Sequence, residues 1–96
     1  MAVPTEKSIQ TAIRRWLKNN GWFVRKWHQG SYAGAGMPDL LAIKNGVVLF
    51  LEIKRPGGKL TKLQERTIRE LSEHGANVFV VYSLKEVKAI VERVLL

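Results

Sequence analysis

The sequence predicts a small α/β domain, a mixed four-stranded sheet flanked by helices in the order αβββαβα. Three observations predict it. Apolar residues recur at helical spacing in segments at the start, middle and end of the chain. Short β-branched and aromatic runs lie between the first two, and two of these runs are joined by Asn45-Gly46, a strong hairpin signal. A helical segment separates the third strand from the fourth, so that pair must run parallel in one sheet. At 96 residues the chain is expected to form one domain over residues 1–96.

In order, "TEKSIQTAIRRWLKNNG" places Ile9, Ala12, Ile13, Trp16 and Leu17 on one helical stripe, with Thr5 as N-cap and Asn20-Gly21 as a stop. "WFVRKWH", Trp22 to His28, reads as a strand. Trp22 and Val24 point to one side of it, Phe23 and Trp27 to the other, so helices or a partner chain must cover both. "QGSYAGAG" is a glycine-rich loop. "MPDLLAIKNGVVLFLEIKR", Met37 to Arg55, is the hairpin, and "RPGGK" is a turn. Thr61 then starts a helix carrying Leu63, Thr67, Ile68 and Leu71 and ending at Gly75. "NVFVVY" is a continuous apolar strand of the kind buried inside a sheet. "SLKEVKAIVERVL" is a closing helix with Ser83 and Glu86 at capping-box spacing and Val87, Ile90, Val91 and Val94 inward.

Sixteen Lys plus Arg against eight Asp plus Glu give a net charge of +8, a balance that attracts polyanions, nucleic acid above all. No strongly basic amphipathic helix argues for a membrane surface, and no segment is long enough to span one. Without cysteine there is neither a disulfide framework nor a thiolate zinc site. The N-terminal "MAVPTEKSIQ" has no apolar run of signal-peptide type, so a cytoplasmic location is expected.

The hairpin holds the chemistry. A two-residue Asn45-Gly46 turn makes opposed residue numbers sum to 91, which sets Asp39 across from Glu52. Opposed side chains point to the same face with Cβ atoms roughly 5 Å apart, and Lys54, two residues beyond Glu52, shares that face. Two facing carboxylates repel, and something positive must offset them. Lys54 supplies part. A hard divalent cation, Mg²⁺ or Mn²⁺, would supply the rest, since it takes one or two carboxylates and keeps several waters. Beside a lysine in a basic protein, such a cation suits phosphodiester hydrolysis. The plain alternative is a solvated ion cluster, which apolar surroundings make costly. Relief of the repulsion predicts that Asp39→Ala raises the melting temperature in metal-free buffer.

Gly36-Met37-Pro38-Asp39, then Glu52-Ile53-Lys54, with Gln64 on the next helix and Glu6 on the first, resembles the VRR-NUC family, the virus-type replication-repair nucleases of the PD-(D/E)XK superfamily. The resemblance covers nearly the whole chain and implies a restriction-endonuclease-like core. It further implies a metal-dependent nuclease in which Asp39, Glu52 and the main-chain carbonyl of Ile53 hold Mg²⁺ or Mn²⁺. Glu6 would approach the ion through a water, Lys54 would orient the attacking water, and Gln64 would join the site. Thr61 and Gln64 also stand at capping-box spacing, which alone would explain Gln64. A small standalone member looks like a structure-selective endonuclease on branched or junction DNA, akin to the dimeric junction resolvases.

Arg55, Lys59 and Lys62 follow the hairpin and are the expected phosphate contacts, with Tyr32 of the glycine-rich loop placed to touch a base or sugar. His28 is a second-rank general base, and His74 should meet the carbonyls at its helix end. A homodimer is expected through helix one, strand one or the C-terminal helix. The competing reading is a non-catalytic nucleic-acid-binding module, which would keep the basic surface and have no need of the acids.

Overall fold

In the computed structural model, which describes residues 3–27 and 36–95, the chain folds as α1 (Glu6–Asn19), β1 (Phe23–Lys26), β2 (Leu40–Lys44), β3 (Val47–Ile53), α2 (Lys62–Glu73), β4 (Asn77–Val81) and α3 (Leu84–Val94). This is the expected αβββαβα order. The sheet runs β1-β2-β3-β4, antiparallel for the first two pairings and parallel for β3 with β4.

The hairpin register is the one Asn45-Gly46 imposes. Lys44 faces Val47, Ala42 faces Leu49 and Leu40 faces Leu51. Asn45 and Gly46 have φ of 50° and 80°, the left-handed pair that a type I′ turn requires. Alternation then divides the sheet. Val24, Leu40, Ala42, Leu49, Leu51 and Ile53 point to one face and are buried against Ile9, Ile13 and Leu17 of α1 and Val87 and Val91 of α3. Leu41, Ile43, Val48 and Phe50 point to the other, where they are half-buried or exposed.

Each helix is capped as its sequence suggests. The Thr5 hydroxyl accepts from Ser8 N at 3.0 Å, and the Thr61 hydroxyl accepts from Gln64 N at 3.1 Å. His74 meets the Glu70 carbonyl at 2.7 Å. At α3, Ser83 caps Glu86 N, but the Glu86 carboxylate reaches one residue further back than a capping box does, accepting from Tyr82 N at 2.9 Å.

Two expectations need correction. β1 ends at Lys26, with Trp27 held by a single bond from its N–H to the Asp39 carbonyl at 2.7 Å, and His28 lies outside the described residues. β4 is an edge strand rather than an interior one. Its apolar run reflects cover on both faces, by α3 and by α2, rather than strands on both sides. α2 packs shallowly: none of its residues is buried, and Leu63 is 46% exposed. No helix among the described residues is long and apolar enough to cross a membrane.

Candidate metal centre

Asp39 and Glu52 meet at the end of the hairpin opposite the turn. The β2–β3 ladder ends at Leu40 and Leu51, and the next step outward sets the two acids against each other. There a side chain takes over from the ladder, Asp39 Oδ2 accepting from Ile53 N at 2.7 Å. The main chain thereby locks Asp39 beside Glu52.

Both acids are withdrawn from water, Asp39 to 9% and Glu52 to 1% exposure. Burial is the main reason the Glu52 carboxyl is pushed up to about 8, with the Asp39 charge adding to it and Lys54 opposing it. The Lys54 ammonium lies 3.9 Å from Glu52 Oε1, its side chain 12% exposed. Glu6, in the first turn of α1, is near enough for its charge to raise Glu52 further.

Gln64 does both things its position suggested. Its Oε1 accepts from Thr61 N at 2.9 Å and completes the capping box, while its Nε2 donates to Glu52 Oε1 at 3.1 Å. Glu52 Oε2 has under 1 Å² of exposure and no hydrogen-bond donor among the described residues. A buried carboxylate oxygen with no donor is costly unless a cation or a proton meets it. Two buried carboxylates side by side are oxygen donors of the kind that fit a hard divalent ion. Among the described residues no group of three acidic or imidazole side chains gathers, so such an ion would fill its shell with main-chain oxygen and water. The residues present fit Mg²⁺ or Mn²⁺.

Arg55, Lys59 and Lys62 are all exposed beyond β3. Arg55 opens the turn Arg55-Pro56-Gly57-Gly58, with Gly57 at φ 82° and Gly58 N bonded to the Arg55 carbonyl at 2.8 Å; Lys59 follows the turn and Lys62 is the first residue of α2. Tyr32 lies outside the described residues. A surface depression of about 700 Å³, lined by Val48, Phe50, Asn77, Phe79 and Val94 among others, sits at the other end of the sheet. None of the site residues lines it.

Sequence reasoning gave Gly36 no role of its own. Its φ is 85°, and a Cβ there would stand 2.7 Å from Leu63 Cγ and 2.8 Å from Thr67 Oγ1. α2 therefore seats directly on this glycine, which brings Gln64 within reach of Glu52. The only signal in the sequence was a glycine three residues before the acid.

Comparison with known proteins agrees with this picture. The family model described as VRR-NUC domain matches residues 5–85. A solved structure titled "VRR_NUC domain" is 33% identical, superposes with a TM-score of 0.77, and the match covers 93% of this chain and 97% of that one. A second, "VRR_NUC domain protein", is 21% identical with a TM-score of 0.79 over 98% of this chain and 90% of its own, a likeness of fold. No protein of curated function matches the sequence.

Proposed function

The chain belongs to the VRR-NUC family of nuclease-type domains, and from that membership we propose a metal-dependent deoxyribonuclease. In this reading it hydrolyses phosphodiester bonds as a structure-selective endonuclease on branched or junction DNA, in cytoplasmic DNA repair. The buried, adjacent Asp39 and Glu52, with a Glu52 oxygen that no donor reaches among the described residues, are the observation that supports it.

Asp39, Glu52 and the Ile53 carbonyl would hold Mg²⁺ or Mn²⁺, with Glu6 reaching it through a water. The bound ion supplies Lewis-acid chemistry, lowering the pKa of a water and neutralising charge on the phosphoryl oxygens. The chain's own groups do the rest. Gln64 fixes the Glu52 carboxylate by donating to Oε1. Lys54, close to the same oxygen, orients the attacking water and stabilises negative charge developing at phosphorus. Arg55, Lys59 and Lys62 steady the flanking phosphates, and Tyr32 contacts a sugar or base. Among the described residues there is no helix-turn-helix or zinc finger to read sequence, which favours recognition of DNA shape.

A single chain carries a single such site, and coordinated cutting of two strands takes two. A homodimer is therefore part of the reading. The apolar surface that supports it lies along β1 and the adjoining sheet face, where Phe23 is 47% exposed and Val48 is also open. Arg25 stacks over the Phe23 ring at 4.3 Å. Light scattering at micromolar concentration tests it: the expected mass is twice 10.9 kDa, and a single-chain mass unchanged by DNA would leave one-site nicking.

Incubation with linear, flapped and four-way-junction DNA, with and without Mg²⁺ or Mn²⁺, tests the activity. Cleavage of branched DNA only with metal is expected. Tight binding without cleavage in either metal would instead make the chain a nucleic-acid-binding module.

A further inference from the structure

The cations are unevenly distributed. α1 and β1 hold six of the sixteen, Lys7, Arg14, Arg15, Lys18, Arg25 and Lys26, against Glu6 as their one acid. α2 balances three cations with three acids, and it pairs Arg66 with Glu70 at 3.2 Å and Arg69 with Glu73 at 4.0 Å. Among the described residues no ion pair reaches a cation of α1.

Helical spacing gathers the α1 cations on one side. Lys7, Thr11, Arg15 and Lys18 form an exposed stripe, with Arg14 beside it, opposite the buried Ile9, Ile13 and Leu17. Arg14–Lys18 and Arg15–Lys18 are like-charged neighbours at four and three residues, an arrangement that repels. The helix dipole favours Lys18 in the last turn but disfavours Lys7 in the first. Folding thus explains the apolar side of α1 and leaves its cationic side without an acidic partner among the described residues. The sequence reading weighed only the cations around "RPGGK" and passed this helix by.

The stripe begins one residue beyond Glu6, on a helix that packs against β3, the strand that carries Glu52. From Lys7 to Lys18 it runs roughly 16 Å along the helix axis. Duplex DNA carries one charge per about 1.7 Å, so that length passes several phosphates. A lipid surface would need a free apolar face to insert, and the apolar face of α1 is in the core.

We propose that the outer face of α1 is a second phosphate-binding track, which holds the duplex arm of DNA adjoining the arm in the site. The inference rests on the nuclease reading above and adds a surface to it.

The test is fluorescence anisotropy on a labelled duplex and a four-way junction, using metal-free protein across a salt series. Lys7→Ala/Arg15→Ala/Lys18→Ala should flatten the slope of log affinity against log salt by roughly 2.7. Equivalently, the affinity lost between about 50 and 200 mM salt shrinks by roughly 40-fold. Arg66→Ala/Arg69→Ala/Lys85→Ala removes the same formal charge elsewhere and should change the slope by less than about 1. Melting curves confirm that both variants fold. An unchanged slope in the α1 variant, or equal flattening in both, overturns the inference and leaves the nuclease reading standing. Failure of the wild type to bind either DNA overturns both, as does capture by phosphatidylserine vesicles in place of DNA.

Discussion

Leu40, Ala42, Leu49, Leu51 and Ile53 form a dry layer under α1 and α3 on one side of the sheet. One residue along the same strands, the other side holds Leu41, Ile43, Val48 and Phe50, half-open, and then two buried acids and a lysine. The first side is filled by volume and shape and has no charge to satisfy. The second leaves its apolar residues unfinished and spends its depth on Glu52, a group that folding alone would put in water. The difference shows that period-two alternation lets β2 and β3 serve stability and chemistry separately, so each side can be perturbed without the other.

The widest separation should come from Glu52→Gln and Lys54→Ala. Each is expected to lower single-turnover cleavage by about 1,000-fold or more without loss of melting temperature, and Glu52→Gln should raise it in metal-free buffer near neutral pH, where the wild type must hold its buried carboxyl protonated. A variant that cleaves at the wild-type rate takes its residue out of the site. Leu51→Ala, on the covered side, should do the reverse. It costs about 3 kcal/mol and lowers the melting temperature by about 12–24 °C, with cleavage retained well below that temperature.

Asp39→Ala sits between these two and changes an expectation. Relief of repulsion alone would raise the melting temperature. The Asp39 carboxylate also accepts from Ile53 N at 2.7 Å, and its loss orphans a buried N–H at about 1–3 kcal/mol. The variant should therefore be no more stable than the wild type, as a metal-free thermal melt would read directly.

The pH dependence sharpens the contrast further. The unfolded Glu52 carboxyl ionises near 4.5 and the folded one near 8, so between those values the folded protein holds a proton that the unfolded chain has lost. The contribution of this group is flat below about pH 4.5, falls as pH rises through the window by up to about 1.4 kcal/mol per unit, and levels off above 8. Urea unfolding of metal-free protein at stepped pH should show this fall, and Glu52→Gln should remove it. Gly36→Ala is the mildest change. The positive φ and the contact with α2 together cost about 1–2 kcal/mol, and because α2 carries Gln64, cleavage should fall about tenfold, more than stability alone explains.

Much of this was legible because local rules govern it. Asn45-Gly46 sets the register, the register sets Asp39 against Glu52, and Thr61 marks the start of the helix that brings Gln64. What was not legible depends on contacts between distant segments. The apolar run of β4 does not reveal whether strands or helices cover it. Nothing near Gly36 in sequence says that α2 will rest there, and the bond from Ile53 N to Asp39 arises only because the ladder ends one residue earlier. The cations of α1 were visible as letters, but their want of partners appears only when the acids of the other elements have been placed.

Gln64 serves two masters with one amide, and this narrows what position 64 tolerates over evolutionary time. A helix start alone accepts glutamine or glutamate equally, since both offer an oxygen to Thr61 N. Here the other end of the amide must donate to Glu52 Oε1. Glutamate, one nucleotide change away in the genetic code, would keep the cap and set a third negative charge against Glu52. A swap that a capping box alone would tolerate is thus costly here, because the helix that frames the site begins on a side chain that belongs to the site.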